Sequence, residues 1–170
     1  QCCLVGSEMC IRDRDTSVIQ RMVSILHHRG PDGNGIWSDS KIAFGHNRLS
    51  IVDLLGSSQP ILGNNDTVLI ANGEIYNHLS IRSSMNYNWR TSGDSEVILA
   101  LHENFIKQGG QANHQDWVAK LNGMFSFALW DAEREELILA RDALGIKPLV
   151  RCELDGSLLF SSEIKAFHAH

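Results

Sequence analysis

Apolar residues recur at helical spacing in Val18, Ile19, Met22, Val23 and Leu26, which predicts an amphipathic helix after a cap at Asp15 or Thr16. The glycine- and proline-rich stretch His27-His28-Arg29-Gly30-Pro31-Asp32-Gly33 ends it in a turn. Short strand-like runs follow at Ile42 to His46, Leu49 to Val52 and Val68 to Ala71, separated by turn residues such as Asn64-Asn65-Asp66. A short helix is expected from Asn77 to Met85. A firmer one runs from Ser95 to Phe105, with Val97, Ile98, Leu101 and Phe105 on one face and Asp94 as its N-cap. Trp117 to Leu121 reads as a further short helix.

The last third returns to strands at Met124 to Trp130, Glu136 to Ala140, Leu149 to Glu153 and Leu158 to Ser161, with Asp155-Gly156 as a hairpin turn. Strands, then helices, then strands again point to an α+β fold with antiparallel sheet. Met124-Phe125-Ser126-Phe127-Ala128-Leu129-Trp130 is almost wholly apolar, as a strand covered on both faces should be. Two packed sheets with helices outside would give it that cover.

Size and charge narrow this picture. The chain of 170 residues suffices for one domain with a sizeable core. Its net charge of −5 disfavours nucleic acid or an anionic membrane as the main partner. No apolar run approaches the roughly 18 residues of a membrane span, and no secretory leader is evident, so a cytoplasmic location is expected. The four cysteines, Cys2, Cys3, Cys10 and Cys152, form neither a Cys-x-x-Cys pair nor a zinc pattern with histidines. No metal site is expected. One thiol as a nucleophile remains open.

The candidate chemistry lies at the ends of the predicted elements. Arg48 precedes one apolar run, Asn72-Gly73-Glu74 follows another, and Ser92-Gly93-Asp94-Ser95-Glu96 opens a helix. An arginine pairs with a carboxylate and an aspartate holds an ammonium, so Arg48 and Asp94 suit the two backbone charges of a free amino acid. An asparagine amide and the N–H of a following glycine suit an oxyanion. By residue type alone, an Asn-Gly pair such as Asn72-Gly73 is usually a hairpin turn, and an aspartate such as Asp94 usually a helix cap.

The blocks His28-Arg29-Gly30-Pro31-Asp32, Arg48-Leu49-Ser50-Ile51-Val52-Asp53, Asn72-Gly73-Glu74-Ile75-Tyr76-Asn77 and Ser92-Gly93-Asp94-Ser95-Glu96-Val97-Ile98 carry a family resemblance. So do Leu121-Asn122-Gly123-Met124-Phe125, Arg141-Asp142-Ala143-Leu144-Gly145-Ile146-Lys147-Pro148-Leu149 and Ser162-Glu163-Ile164-Lys165-Ala166. In this order they resemble the glutaminase domain of glutamine-hydrolysing asparagine synthetase, a class II glutamine amidotransferase. The resemblance implies a four-layer αββα sandwich of the N-terminal nucleophile hydrolase type. It implies hydrolysis of glutamine to glutamate and ammonia through a cysteine thioester. The ammonia would serve an ATP-dependent synthetase domain absent from this chain.

Carried over residue by residue, it implies Arg48 on the glutamine α-carboxylate, Asp94 on the α-ammonium, and Asn72 with Gly73 as the oxyanion hole. Leu49, Ile51, Val52 and Glu74 would line the pocket, and His28 and Arg29 would belong to a loop over it. The implied partners are glutamine and the synthetase domain of the full-length protein, with homodimerisation left open. No cofactor is implied in this domain; ATP and Mg belong to the synthetase domain.

The implied nucleophile is a cysteine at the mature N-terminus. Cys2-Cys3-Leu4-Val5-Gly6 fits the family's opening frame, which makes Cys2 the candidate, preceded here by Gln1. Two readings of the start stay open. Either Cys2 is the nucleophile, or residues 1–14 are a non-native segment and the amidotransferase domain runs over 15–170. A glutamine-binding fragment without catalysis, and an asparagine-synthetase-like enzyme with another acceptor, are the alternatives to the leading function.

Overall fold

A computed structural model describes residues 3–5, 16–48, 58–111, 113–154 and 156–169. Its strands are β1 (Cys3–Val5), β2 (Gly33–Ser38), β3 (Ala43–Arg48), β4 (Ile61–Leu62), β5 (Thr67–Ile75), β6 (Gly123–Asp131), β7 (Glu136–Arg141), β8 (Val150–Leu154) and β9 (Ser157–Ser161). Its α-helices are α1 (Thr16–Ile25), α2 (His78–Ser84), α3 (Glu96–Lys107) and α4 (Gln115–Val118). Single 3-10 segments cover His27–Arg29 and Ile164–Ala169. No described helix is long and apolar enough to cross a membrane.

The strands form two antiparallel sheets. One has the order β2-β3-β1-β9-β8 and the other β4-β5-β6-β7. Alternation along β6 explains why its sequence is apolar throughout. Phe125, Phe127 and Leu129 face a core shared with α3 and α4, while Ala128 and Trp130 face the other sheet. The expectation of a strand covered on both sides holds, for the reason given by the period of two.

The layer between the sheets is built from Ile42 just before β3, Phe44 of β3, Val68 and Ile70 of β5, Ala128 and Trp130 of β6, and Phe160 of β9. On the outer face of the first sheet, Ile19, Met22, Val23 and Leu26 pack with Ala166 and Ala169. Gly45 makes this contact possible, because a Cβ there would lie 2.6 Å from a Val23 methyl. Helices therefore cover both outer faces of a double sheet.

Three sequence expectations are revised. β5 does not stop at Ala71; it continues through Asn72, Gly73 and Glu74 to Ile75, paired in register with β6. Asn72-Gly73 is thus strand and not hairpin turn. Asp94 is not the N-cap of α3; that position is Ser95, without a side-chain cap bond. Finally, β2 and β4 have no counterpart in the predicted elements, since Gly33-Asn34-Gly35-Ile36-Trp37-Ser38 lacks an apolar run and Ile61–Leu62 is too short to show a period. The expected strand Leu49 to Val52 and the turn residue Asp155 lie outside the described residues.

Candidate functional site

Strand alternation decides which side chains meet. On β3, Phe44 faces the layer between the sheets, so His46 and Arg48 face it too. Asn47 faces the other way, and its amide donates to the Val23 carbonyl of α1 at 2.8 Å. On β5, Val68 and Ile70 face the same layer, so Asn72 continues their row toward β3. β3 and β5 pack against each other, and His46 lies against the backbone of Ala71. Arg48 and Asn72, each one step beyond that contact, therefore share one end of the interlayer gap.

Asn72 is fully buried, and among the described residues neither atom of its side-chain amide has a hydrogen-bond partner. Such a group is normally satisfied in a folded protein. The next residue, Gly73, has φ +140, and a Cβ on it would lie 2.0 Å from the Met124 carbonyl oxygen. Only glycine fits this position.

The outer edge of β5 supplies the rest. The N–H and C=O of Phe125, opposite Gly73, are both spent on Asp142, at 3.2 and 2.7 Å. Antiparallel alternation then turns the backbone groups of Gly73 away from β6, to the side used by Ala71 and Ile75. On that side the Gln59 amide pairs with Ala71 like a short extra strand, accepting from its N–H at 2.6 Å and donating to its C=O at 3.0 Å. Ile75 donates its N–H to the Asp94 carboxylate at 2.6 Å. Gly73 lies between these two, about 7 Å along the strand from Ile75. Asp94 thus sits at the edge of β5 although it follows Ile75 by 19 positions. Glu74 is exposed beside Gly73 and pairs in register with Met124.

Two loops frame this end of the molecule. Arg29 donates to Glu163 at 2.7 Å, and Lys165 reaches the same carboxylate at 3.0 Å, with His28 beside them. The Arg29 bond holds the Glu163 carboxyl down at about 2, against the opposing effect of burial. This joins two of the sequence blocks across the chain. Gly30 comes so close to β3 that a Cβ would lie 2.5 Å from the Asn47 carbonyl carbon. The second loop follows β7, where Asp142 accepts from the N–H groups of Phe125, Leu144, Ile146 and Lys147. Burial alone would raise its pKa, but these donors win and lower it.

Of the residues singled out in the sequence, Arg48, Asn72, Gly73, Glu74 and Asp94 come to this end of the two sheets. Cys2, Leu49, Ile51 and Val52 lie outside the described residues. The next residue after Cys2, Cys3, pairs with Asn47 where β1 lies between β3 and β9. Sequence reasoning missed His46 and Gln59. His46 is buried, and desolvation lowers its pKa to about 3, helped by the charge of Arg48. An isolated glutamine before a proline gives no pattern by which Gln59 could be found.

A double antiparallel sheet with helices on both outer faces is the four-layer αββα fold of the N-terminal nucleophile hydrolase type. Within that class the chain belongs to the glutamine amidotransferase domain family, whose model matches residues 1–170. It is 39% identical over 155 residues to the glutamine-hydrolysing asparagine synthetase 2 of Bacillus subtilis (strain 168), with 90% of this chain and 20% of that protein covered. It is 40% identical over 146 residues to asparagine synthetase B of Escherichia coli (strain K12), covering 84% of this chain and 25% of the relative. The chain therefore spans about a fifth to a quarter of these relatives. Its fold matches a solved glutamine phosphoribosylpyrophosphate amidotransferase from B. subtilis with a TM-score of 0.76 at 22% identity, over 99% of this chain and 43% of that one.

Proposed function

We propose that this domain hydrolyses glutamine to glutamate and ammonia, with Cys2 as the nucleophile. The observation that carries the reading is Asn72: a buried amide without a partner among the described residues, beside a glycine of unusual conformation, at the end of the gap that Arg48 faces. Such an amide is compensated once an oxyanion accepts from its NH2 group. Arg48 takes the α-carboxylate and Asp94 the α-ammonium. Gly73 N–H is the second oxyanion donor. Leu49, Ile51, Val52 and Glu74 form the pocket wall. Support for Cys2 comes from its neighbour Cys3, which pairs beside Asn47, the residue preceding Arg48.

The reaction runs through ordinary acyl transfer. Once Gln1 is removed, the freed α-amino group of Cys2, with a pKa of about 8, takes the thiol proton. Sγ attacks the side-chain amide carbon of glutamine, and Asn72 and Gly73 hold the oxyanion. The tetrahedral species collapses to a thioester as the proton passes to the leaving amine, which departs as ammonia. Water then cleaves the thioester, releasing glutamate and restoring the thiol. No step calls for a metal or cofactor in this domain. The ammonia is destined for an ATP- and Mg-dependent synthetase portion of a longer cytoplasmic protein.

Gln1 makes the Cys2 nitrogen an amide without a basic lone pair. This favours a second reading for the chain as it stands, a glutamine-binding domain without turnover. One experiment separates the two. Ammonia release is measured for the full chain, for the chain shortened by Gln1, and for the shortened chain carrying Asn72→Ala. The proposal expects turnover only after shortening, reduced by about 10²–10³ in the Asn72→Ala variant. Equal rates with and without Asn72 would sink it.

A further inference from the structure

Asp94 precedes α3 in a stretch that has no regular secondary structure between Met85 and Ser95. Its own carboxylate is tied to β5 by the Ile75 N–H, but something else must hold the chain on which it sits. Arg82, in the last turn of α2, does so. One Nη of its guanidinium donates to the Thr91 carbonyl at 2.8 Å and the Gly93 carbonyl at 2.7 Å, bracketing Ser92 and reaching the residue directly before Asp94. The same nitrogen lies 3.5 Å from the Glu96 carboxylate. The guanidinium also stacks on Trp89, 4.3 Å from the ring centroid, which fixes its plane.

Glu96 closes the clasp from the other end of the segment. It is buried, with 1% of its surface exposed, and among the described residues its donors come from this stretch and from Arg82. It accepts from the Arg90 N–H, the Thr91 N–H and the Thr91 hydroxyl, each at 2.8 Å. A buried carboxylate and a partly buried guanidinium spent mainly on the backbone of residues 90–93, directly before one aspartate, are a costly arrangement for a mere loop anchor. Among the described residues, the Asp94 carboxylate keeps one strong bond, to Ile75, and a Ser95 hydroxyl at 3.5 Å.

We propose that Arg82 is a positioning residue for ligand selection: with Glu96 it fixes the Ser92–Asp94 segment so that Asp94 meets the α-ammonium of glutamine. It thereby sets the preference for an α-amino-acid amide over the same amide without its amino group. This rests on the glutamine reading above. Arg82 touches no substrate and acts only through Asp94.

Calorimetric dissociation constants for L-glutamine and for its des-amino analogue, 4-carbamoylbutanoate, test it in the full chain. The wild type prefers glutamine. In Arg82→Met, which keeps the aliphatic stem over Trp89 but loses the donors, glutamine binding weakens about tenfold, the loss of one charge-assisted contact, while the analogue is unchanged. Arg82→Lys, which keeps a charge and donors, falls between them and guards against a folding failure in the first variant. Equal weakening of both ligands, or an unaltered preference, overturns the positioning role and leaves the glutamine reading standing. No preference for glutamine in the wild type overturns both.

Discussion

Leaving both polar atoms of a buried amide unbonded costs about 1–3 kcal/mol by mutational measures, and among the described residues Asn72 has no partner to offset that cost. Replacing it by an apolar residue of similar volume should therefore help folding while removing the oxyanion donor. Asn72→Leu is expected to keep or raise the midpoint of thermal unfolding, and to lower ammonia release by at least about 10²-fold. A drop in both would show that the amide serves the fold. Gly73 is the opposite case. Its φ of +140 and the 2.0 Å approach to the Met124 oxygen leave no room for a methyl group. Gly73→Ala should lose more than about 1–3 kcal/mol in urea unfolding, the strain of the backbone alone, with the clash added.

Elements near the site are held by carboxylates that accept backbone donors. Asp142 gathers four N–H groups, three from its own loop and one from β6, and so fixes the loop after β7 to the strand opposite Gly73. Asp142→Ala strands several of these donors. Chemical denaturation should register a loss above about 3 kcal/mol, because each buried N–H left without a partner costs about 1–3 kcal/mol. Asp142→Asn, which keeps acceptor oxygen but loses the charge, should lose less. If the two variants are equally stable, the hydrogen bonds are not what holds the loop. The same logic organises the approach to α3, where Glu96 and Arg82 do for Asp94 what Asp142 does for the loop after β7.

For the whole molecule, the resolved pKa shifts that bear on folding act together on acid stability. His46 is pushed down to about 3 by burial, and His102, buried on α3 beside Asp131, is lowered by burial despite the pull of that carboxylate. An unfolded histidine titrates near about 6.5, so below that pH the unfolded chain binds protons that the folded chain does not. Their contribution is fully present above that pH and is lost on acidification, at up to about 1.4 kcal/mol per pH unit for each histidine. Glu163, depressed to about 2 from the ordinary 4.5, has the same sign. Its contribution is present above about 4.5 and fades as pH falls toward 2. Urea unfolding between pH 7 and pH 4 should show stability falling steadily from about pH 6.5. A profile flat down to pH 5 would contradict buried neutral histidines.

The amphipathic stripe of α1, the face of α3 and the apolar run of β6 were legible because a period of 3.6 or 2 is written locally. The identities of Arg48, Asn72, Gly73 and Asp94 were legible as chemistry, and their family as an ordered set of blocks. What the local pattern could not contain is partnership at a distance. Asn72-Gly73 became strand because Ser126 and Phe125 of β6, far along the chain, pair with it. Asp94 became a bracket on β5 and not a cap because the Ile75 N–H needed an acceptor at an open sheet edge. Gln59, Arg82 and Glu96 gained roles only through backbone groups that the fold brought to them. Sequence alone determined which residues can do the chemistry and which faces are buried. Tertiary structure decided which polar groups were satisfied and which were not, since that balance exists only once the two sheets have closed on each other.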